Sequence, residues 1–224
     1  MVKVVDFRRM REVIEHIPKK RDRVLIKLLY LGAFRCSEIL THVAPYDKEH
    51  QASKAYGKHL DFKAEYFQVN RRHKEPVLLI TAATAKRRLK TKDQKERGFI
   101  PKVIAFPCNP VYEPFTEELL RWIQTHHTLS FPITRNWVYT IVKKNLRELD
   151  PEVRTHSLRH WRLTHLVTHY QFDPYDLTAY AGWSLQHGFA VTGGMTVSPQ
   201  IDVYMHSAWQ RYFPKLLKPI TEVR

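Results

Sequence analysis

Apolar residues recur every third or fourth position through much of this chain. Met10, Val13, Ile14 and Ile17 follow the i, i+3, i+4, i+7 spacing of one helix face, which predicts an amphipathic helix over 7–17, ended by Pro18. RVLIKLLYL (23–31) is apolar on almost every side and predicts a buried helix closed near Gly32. AFRCSEIL opens another, with Ser37 near its N-terminus. Residues 41–63 are polar and irregular. EYFQV (65–69), VLLIT (77–81) and GFIPKVIAF (98–106) predict strands, and AATAKRRLKTKDQKER between the last two predicts a long basic hairpin. TEELLRWI (116–123) predicts a helix with Thr116 as its N-cap. TRNWVYTIVKKNL (134–146) predicts another, with Val138, Ile141 and Val142 inward and Arg135, Lys143 and Lys144 outward. THSLRHWRLTHL (155–166) and the stretch around PYDLTAYAGW are also helical in pattern. SAWQRYFPKLLKPI (207–220) puts Trp209, Phe213, Leu216 and Leu217 at helical spacings, with Pro214 limiting its length. The expected fold is mainly α with a small antiparallel β-sheet, an α+β domain spanning 1–224 with no internal boundary.

Charge narrows the partner. Thirty-seven Lys and Arg against 22 Asp and Glu leave a net +15, which favours a polyanion and nucleic acid first; solvated surface lysines are the plainer alternative. No stretch approaches the ~20 apolar residues of a membrane span, the N-terminus lacks the apolar run of a signal peptide, and no basic amphipathic end segment suggests a membrane surface. Two cysteines without a CxxC motif fit a reduced, intracellular setting, so the expected location is cytoplasmic.

The candidate chemistry uses cations, a histidine and a tyrosine. The chain has no phosphate-binding GxxxxGK[ST] loop, no HExxH, and no acidic cluster for a two-metal nuclease. His156 and His160 have a zinc-compatible spacing, but no third ligand follows at a useful distance, so no metal is expected. Arg35 stands at a helix start, and His156 and Arg159 are one turn apart on one helix. The basic hairpin carries Lys86, Lys90, Lys92 and Lys95, and DVYMH carries Tyr204. Two guanidiniums can clamp one phosphate, a histidine can move a proton, a lysine can protonate a leaving hydroxyl, and a tyrosine can form a phosphodiester intermediate. Each residue also has a duller reading. Arg35 can pair with Glu38, His156 can cap its helix, Arg159 can sit at the surface, and most tyrosines only pack.

The order of these segments resembles the tyrosine recombinase, or phage integrase, family. YLGAFRCSEIL (30–40) looks like its first arginine box, with Arg35 on the catalytic arginine and Glu38 on the supporting acidic residue. KDQKERGFIP (92–101) is similar to its β-hairpin pattern. HSLRHWRLTHL (156–166) is similar to its HxLRHTFATHLL box, which assigns His156 and Arg159 and gives His160 as a supporting residue. AYAGWS (179–184) looks like its LGHSS segment, and DVYMH (202–206) like its nucleophile segment. FPITRNWVYTIVKK matches the stretch that the family lays on DNA, hence Arg135, Lys143 and Lys144 as DNA contacts.

The resemblance implies a site-specific recombinase or integrase that cuts and rejoins double-stranded DNA through a 3′-phosphotyrosine on Tyr204, with no cofactor. Arg35 and Arg159 would hold the phosphate, His156 would assist proton transfer, and a hairpin lysine would protonate the leaving oxygen. That lysine is Lys92 when aligned on KER and Lys86 when taken as the one leaving the second strand, with Lys90 behind them. Trp183 replaces the family's histidine and would support the phosphate through its indole N–H. Trp183 and Tyr204 are 21 positions apart, about twice the family's spacing, so Tyr212 and Tyr180 compete as nucleophiles. The resemblance further implies a homo-oligomer, a tetramer on two duplexes, in a prokaryotic mobile element acting at the nucleoid. The family's N-terminal core-binding domain is absent from this stretch, so the chain is either a fragment or works without that arm and binds DNA more weakly. The resemblance makes about 207–224 a C-terminal exchange segment, packing on its own core being the other reading. Type IB topoisomerase-like relaxation and a non-catalytic DNA-binding descendant are the alternatives.

Overall fold

The computed structural model describes residues 5–40, 60–83, 101–183 and 208–223. In chain order it runs α1 (Phe7–Glu15), α2 (Lys20–Leu31), α3 (Cys36–Ile39), β1 (Asp61–Asn70), β2 (His73–Ala83), β3 (Pro101–Pro107), α4 (Pro114–His126), α5 (Arg135–Leu146), α6 (Thr155–Thr168), α7 (Pro174–Ala181) and α8 (Ala208–Leu216), then a 3-10 turn (Ile220–Glu222). It is an α+β fold, helical around a three-stranded antiparallel sheet of order β1-β2-β3.

Local chemistry sets most helix starts. Asp6 accepts from the Arg9 N–H at 2.8 Å, Thr134 from the Trp137 N–H at 3.2 Å, and Asp173 from the Asp176 N–H at 2.9 Å. At α4 the expectation fails: Glu113 is the cap, accepting from the Phe115 N–H at 3.2 Å, and Pro114 is the first helical residue. Thr116 is fully buried inside the helix.

The sheet is longer than the sequence pattern implies. β1 and β2 pair from Asp61↔Thr81 to Asn70↔His73 across the Arg71–Arg72 turn. β1 is an edge strand exposed along most of its length, so no strict alternation marks its ends. β2 is central and pairs with β3 from Val77↔Pro107 to Ala83↔Pro101, putting Lys102 opposite Ala82.

Helix α2 is the hub, packed by α1, α4 and α6 and buried from Val24 to Leu31. Its one buried lysine, Lys27, is held by Glu15 and Glu118 at 2.8 and 2.7 Å. A polar cluster lies beside it. The buried Arg11–Glu113 pair stacks on Phe115, and Arg162 lies within 5.3 to 5.7 Å of the rings of Tyr30, Tyr170 and Tyr180. α8 packs on its own chain: Phe213 and Trp209 meet Phe67 at 5.0 and 6.1 Å, and the helix lies on β3 and α7. It continues through Pro214 to Leu216. Arg211 and Lys215 tie it to Asp173 at 2.6 and 3.4 Å. Among the described residues no helix is long and apolar enough to cross a membrane.

Candidate functional site

The site begins where α2 stops. The Phe34 N–H donates to the Leu29 carbonyl at 3.1 Å and the Ala33 N–H to the Tyr30 carbonyl at 3.0 Å. This crossed pair is a Schellman ending, which needs a left-handed residue just past the helix. That residue is Ala33, at φ 43°, and not the preceding glycine. Gly32 is required for space instead, since a Cβ there would lie 2.0 Å from Cε2 of Phe34, whose ring folds back over it. The last carbonyls of a helix lack intrahelical donors. Here side chains from three other elements serve them. The Tyr180 hydroxyl donates to Leu31, the Lys102 ammonium to Gly32 and, at 3.3 Å, to Ala33, and Arg159 Nη1 donates to Ala33.

Helix α7 ends in the same way. The Trp183 N–H donates to Thr178 at 3.1 Å and the Gly182 N–H to Ala179 at 3.2 Å, with Gly182 left-handed at φ 67°. The Ala181 carbonyl left over accepts from Arg159 Nη2 at 2.8 Å. Arg159 thus bridges the C-terminal ends of two helices. Both ends carry negative partial charge, which favours the guanidinium there without neutralising it.

Among the described residues carboxylate is scarce around it. Glu38, fully buried, accepts from the Arg35 N–H at 2.8 Å and from Arg35 Nη1 at 3.0 Å, so the helix-start box and the ion pair are one interaction. Arg35, Arg159 and Lys102 therefore surround a single carboxylate among the described residues. Burial chiefly, then the charge of Arg35, pulls Arg159 down to about 10 against the opposing pull of Glu38. Burial also holds Lys102 well below the usual lysine value; Glu38 opposes this, and Arg159 and Arg35 add to it. The cations repel one another, and the arrangement suits an anion.

The other sequence candidates spread around this centre. His156 is exposed, where Arg159 is buried, and it meets the His160 ring edge to face at 4.5 Å between centroids. His160 is lowered from its ordinary value by partial burial and then by Arg159. Trp183 is half-buried, 5.8 Å from the Arg159 guanidinium carbon to the ring centroid. Arg162, one turn beyond Arg159, belongs to the tyrosine cluster of the core. On α5, Arg135, Lys143 and Lys144 are all exposed, and the charge of Arg135 reaches the Cys36 thiol next to Arg35. Tyr204 and the hairpin lysines Lys86, Lys90, Lys92 and Lys95 lie outside the described residues. The competing tyrosines are core groups. Tyr212 is fully buried and accepts from the Ala105 N–H at 3.1 Å, and burial raises its pKa well above the usual phenol. Burial pushes Tyr180 up to about 12. Among the described residues no three His, Cys, Asp or Glu side chains gather as a metal site.

Sequence reasoning missed Lys102. The signal was a lysine in phase with Ile104 and Phe106 on the inward side of β3. It also passed over Trp137 and Tyr139, which stand 52% and 40% exposed among the basic residues of α5. The inward set Val138, Ile141 and Val142 already forces both outward.

A scan against known protein families gives no match, and no curated protein matches the chain. Among solved structures the chain is similar to the Tn1549 transposon integrase in complex with transposon right end DNA, with a TM-score of 0.45 and 14% identity. The match covers 92% of this chain and 65% of that one.

Proposed function

We propose that this protein is a DNA strand-exchange enzyme of the tyrosine recombinase type. The observation that carries the reading is the convergence of basic groups at one point: Arg35 and Arg159, with Lys102 beside them, around Glu38, the one carboxylate there among the described residues. Arg159 is oriented by neutral carbonyls, so its charge is kept for an anion, and the order of sequence boxes supports a DNA phosphodiester as that anion.

In this reading Tyr204 attacks the scissile phosphorus. A P–O bond to tyrosine forms as the P–O5′ bond breaks. The tyrosine proton passes to His156, and the departing 5′-oxygen takes a proton from Lys86 or Lys92. Arg35 and Arg159 stabilise the charge that grows on the non-bridging oxygens, and Trp183 supports them. The phosphotyrosine keeps the bond energy, so a 5′-hydroxyl on a partner strand reverses the step. The exposed face of α5, with Arg135, Lys143, Lys144, Trp137 and Tyr139, suits contact with the duplex. A tetramer on two duplexes completes the exchange.

Covalent trapping on supercoiled plasmid in EDTA tests this. The expected result is a DNA-linked band on a denaturing gel, absent from Tyr204→Phe. A band that persists in Tyr204→Phe moves the nucleophile. Relaxation without strand exchange points to a topoisomerase-like activity. Tight DNA binding with no band refutes the enzyme.

A further inference from the structure

We propose that Lys102 is a positioning residue of this site: by binding the carbonyls of Gly32 and Ala33 it fixes the turn that carries Arg35 and, through the shared Ala33 carbonyl, the guanidinium of Arg159. The inference rests on the reading of the two arginines as phosphate ligands.

A lysine stem normally lets its ammonium reach water. Lys102 is 3% exposed, and its ammonium is turned inward at the first positions of β3. Its direct partners are two main-chain carbonyls and the face of Phe34, 4.7 Å from the ring centroid. Packing alone would be served at lower cost by a methionine of similar length. The hydrogen-bonding amine is placed where three elements meet. Nζ and Arg159 Nη1 converge on the oxygen of Ala33, whose two lone pairs accept both. Ala33 is also the left-handed residue of the turn, and Arg35 follows two residues later. A slip of this turn therefore moves both arginines together. Among the described residues the facing charges are Arg35 and Glu38 from the α3 segment and Arg159 from α6; the β2 neighbour, Ala82, brings none. With its pKa lowered mainly by burial, Lys102 loses its proton at lower pH than a surface lysine.

The test uses Lys102→Met and Lys102→Arg in the full chain, with folding followed by near-ultraviolet circular dichroism. On supercoiled plasmid, Lys102→Met should form the Tyr204-dependent adduct about 100-fold more slowly, the loss expected from an ångström of misplacement. Its binding to a short DNA duplex should be unchanged. Lys102→Arg should recover most of the rate and move the alkaline fall in rate to higher pH, since a guanidinium stays charged. Adduct formation by Lys102→Met at the wild-type rate, or an unshifted profile in Lys102→Arg, overturns the proposal. If Lys102→Met does not fold, the Lys102→Arg profile decides. A wild type that forms no adduct sinks the proposed reaction, and a second arm then decides the role of Lys102. Inorganic phosphate at low millimolar concentration, below the range where general salt exclusion acts, should raise the melting temperature more than chloride of equal ionic strength. That gain should vanish in both Lys102→Met and Arg159→Ala; a gain retained in Lys102→Met counts against positioning.

Discussion

Adjacent substitutions at the end of α2 should act in opposite directions. Sequence convention makes Gly32 the left-handed residue, so replacing it should be harmful for backbone reasons and Ala33 should be neutral. The structure gives different causes. In Gly32→Ala the backbone is unstrained, because Gly32 is right-handed at φ −78°, but the new Cβ overlaps Phe34 at 2.0 and 2.2 Å. The ring is 1% exposed and rests against Lys102, so it has little room to retreat. Overpacking of this kind costs about 1–3 kcal/mol. In Ala33→Gly the left-handed penalty of about 1 kcal/mol is relieved, and roughly half is returned as extra freedom of the unfolded chain. A domain of this size shifts by about 2–4 °C per kcal/mol. Gly32→Ala should therefore melt roughly 4–8 °C lower for a cost near 2 kcal/mol. Ala33→Gly should melt about 1–2 °C higher. Calorimetry and urea midpoints on both variants read this directly. A stabilised Gly32→Ala, or a destabilised Ala33→Gly, would refute the assignment of the turn.

Three further outcomes follow from the same geometry. His165 donates through Nε2 to the Val5 carbonyl at 2.9 Å and accepts at Nδ1 from the Tyr30 hydroxyl at 3.0 Å. Burial holds its pKa at about 4 against the usual 6.5. The depressed value means full stability above pH 6.5, lost as pH falls towards 4, about 3 kcal/mol in all. Urea unfolding of wild type and His165→Gln at pH 7 and pH 4 should differ by that amount; parallel losses would show that His165 does not carry it. Arg159→Lys keeps the charge but cannot bridge two carbonyls as a planar fork does, so adduct formation should be lost along with about 1–3 kcal/mol of stability. A lysine variant with normal turnover would remove the bridging role. Tyr212→Phe should still form the DNA adduct while losing about 1 kcal/mol in a thermal melt, and an adduct lost only in this variant would move the nucleophile into the core.

Much of the fold was legible because periodicity and capping agree. The pattern of TRNWVYTIVKKNL (134–146) matches α5 except that Thr134 is its cap and not its first turn, and the apolar run of α2 predicted its burial. The misses have physical reasons. Thr116 looked like a cap only because Glu113 with Pro114, an unusual cap followed by a common first residue, lay just outside the apolar pattern. β1 ran beyond EYFQV because an edge strand needs no buried face to define its ends. At the site, Arg35 and Glu38 were readable because their contact is local, three residues apart. The partners of Arg159 were not. They are main-chain carbonyls, and a carbonyl has no letter in a sequence. Lys102 was hidden for a related reason: its partners lie 70 and 69 positions away.

The meeting of two helix ends at Arg159 also bears on how the chain assembles. Each C-terminus carries roughly half a negative charge, so α2 and α7 repel end to end until a cation stands between them. Ala33 and Ala181 are 148 positions apart in sequence, and the segment that supplies the cation, α6, lies between them. The bridge therefore couples three helices: if α7 leaves, the buried guanidinium on α6 loses its Ala181 partner, and if α2 leaves, it loses Ala33. A contact that needs all three helices in place forms late, so loss of the bridge should show mainly as faster unfolding, with little change in the folding rate.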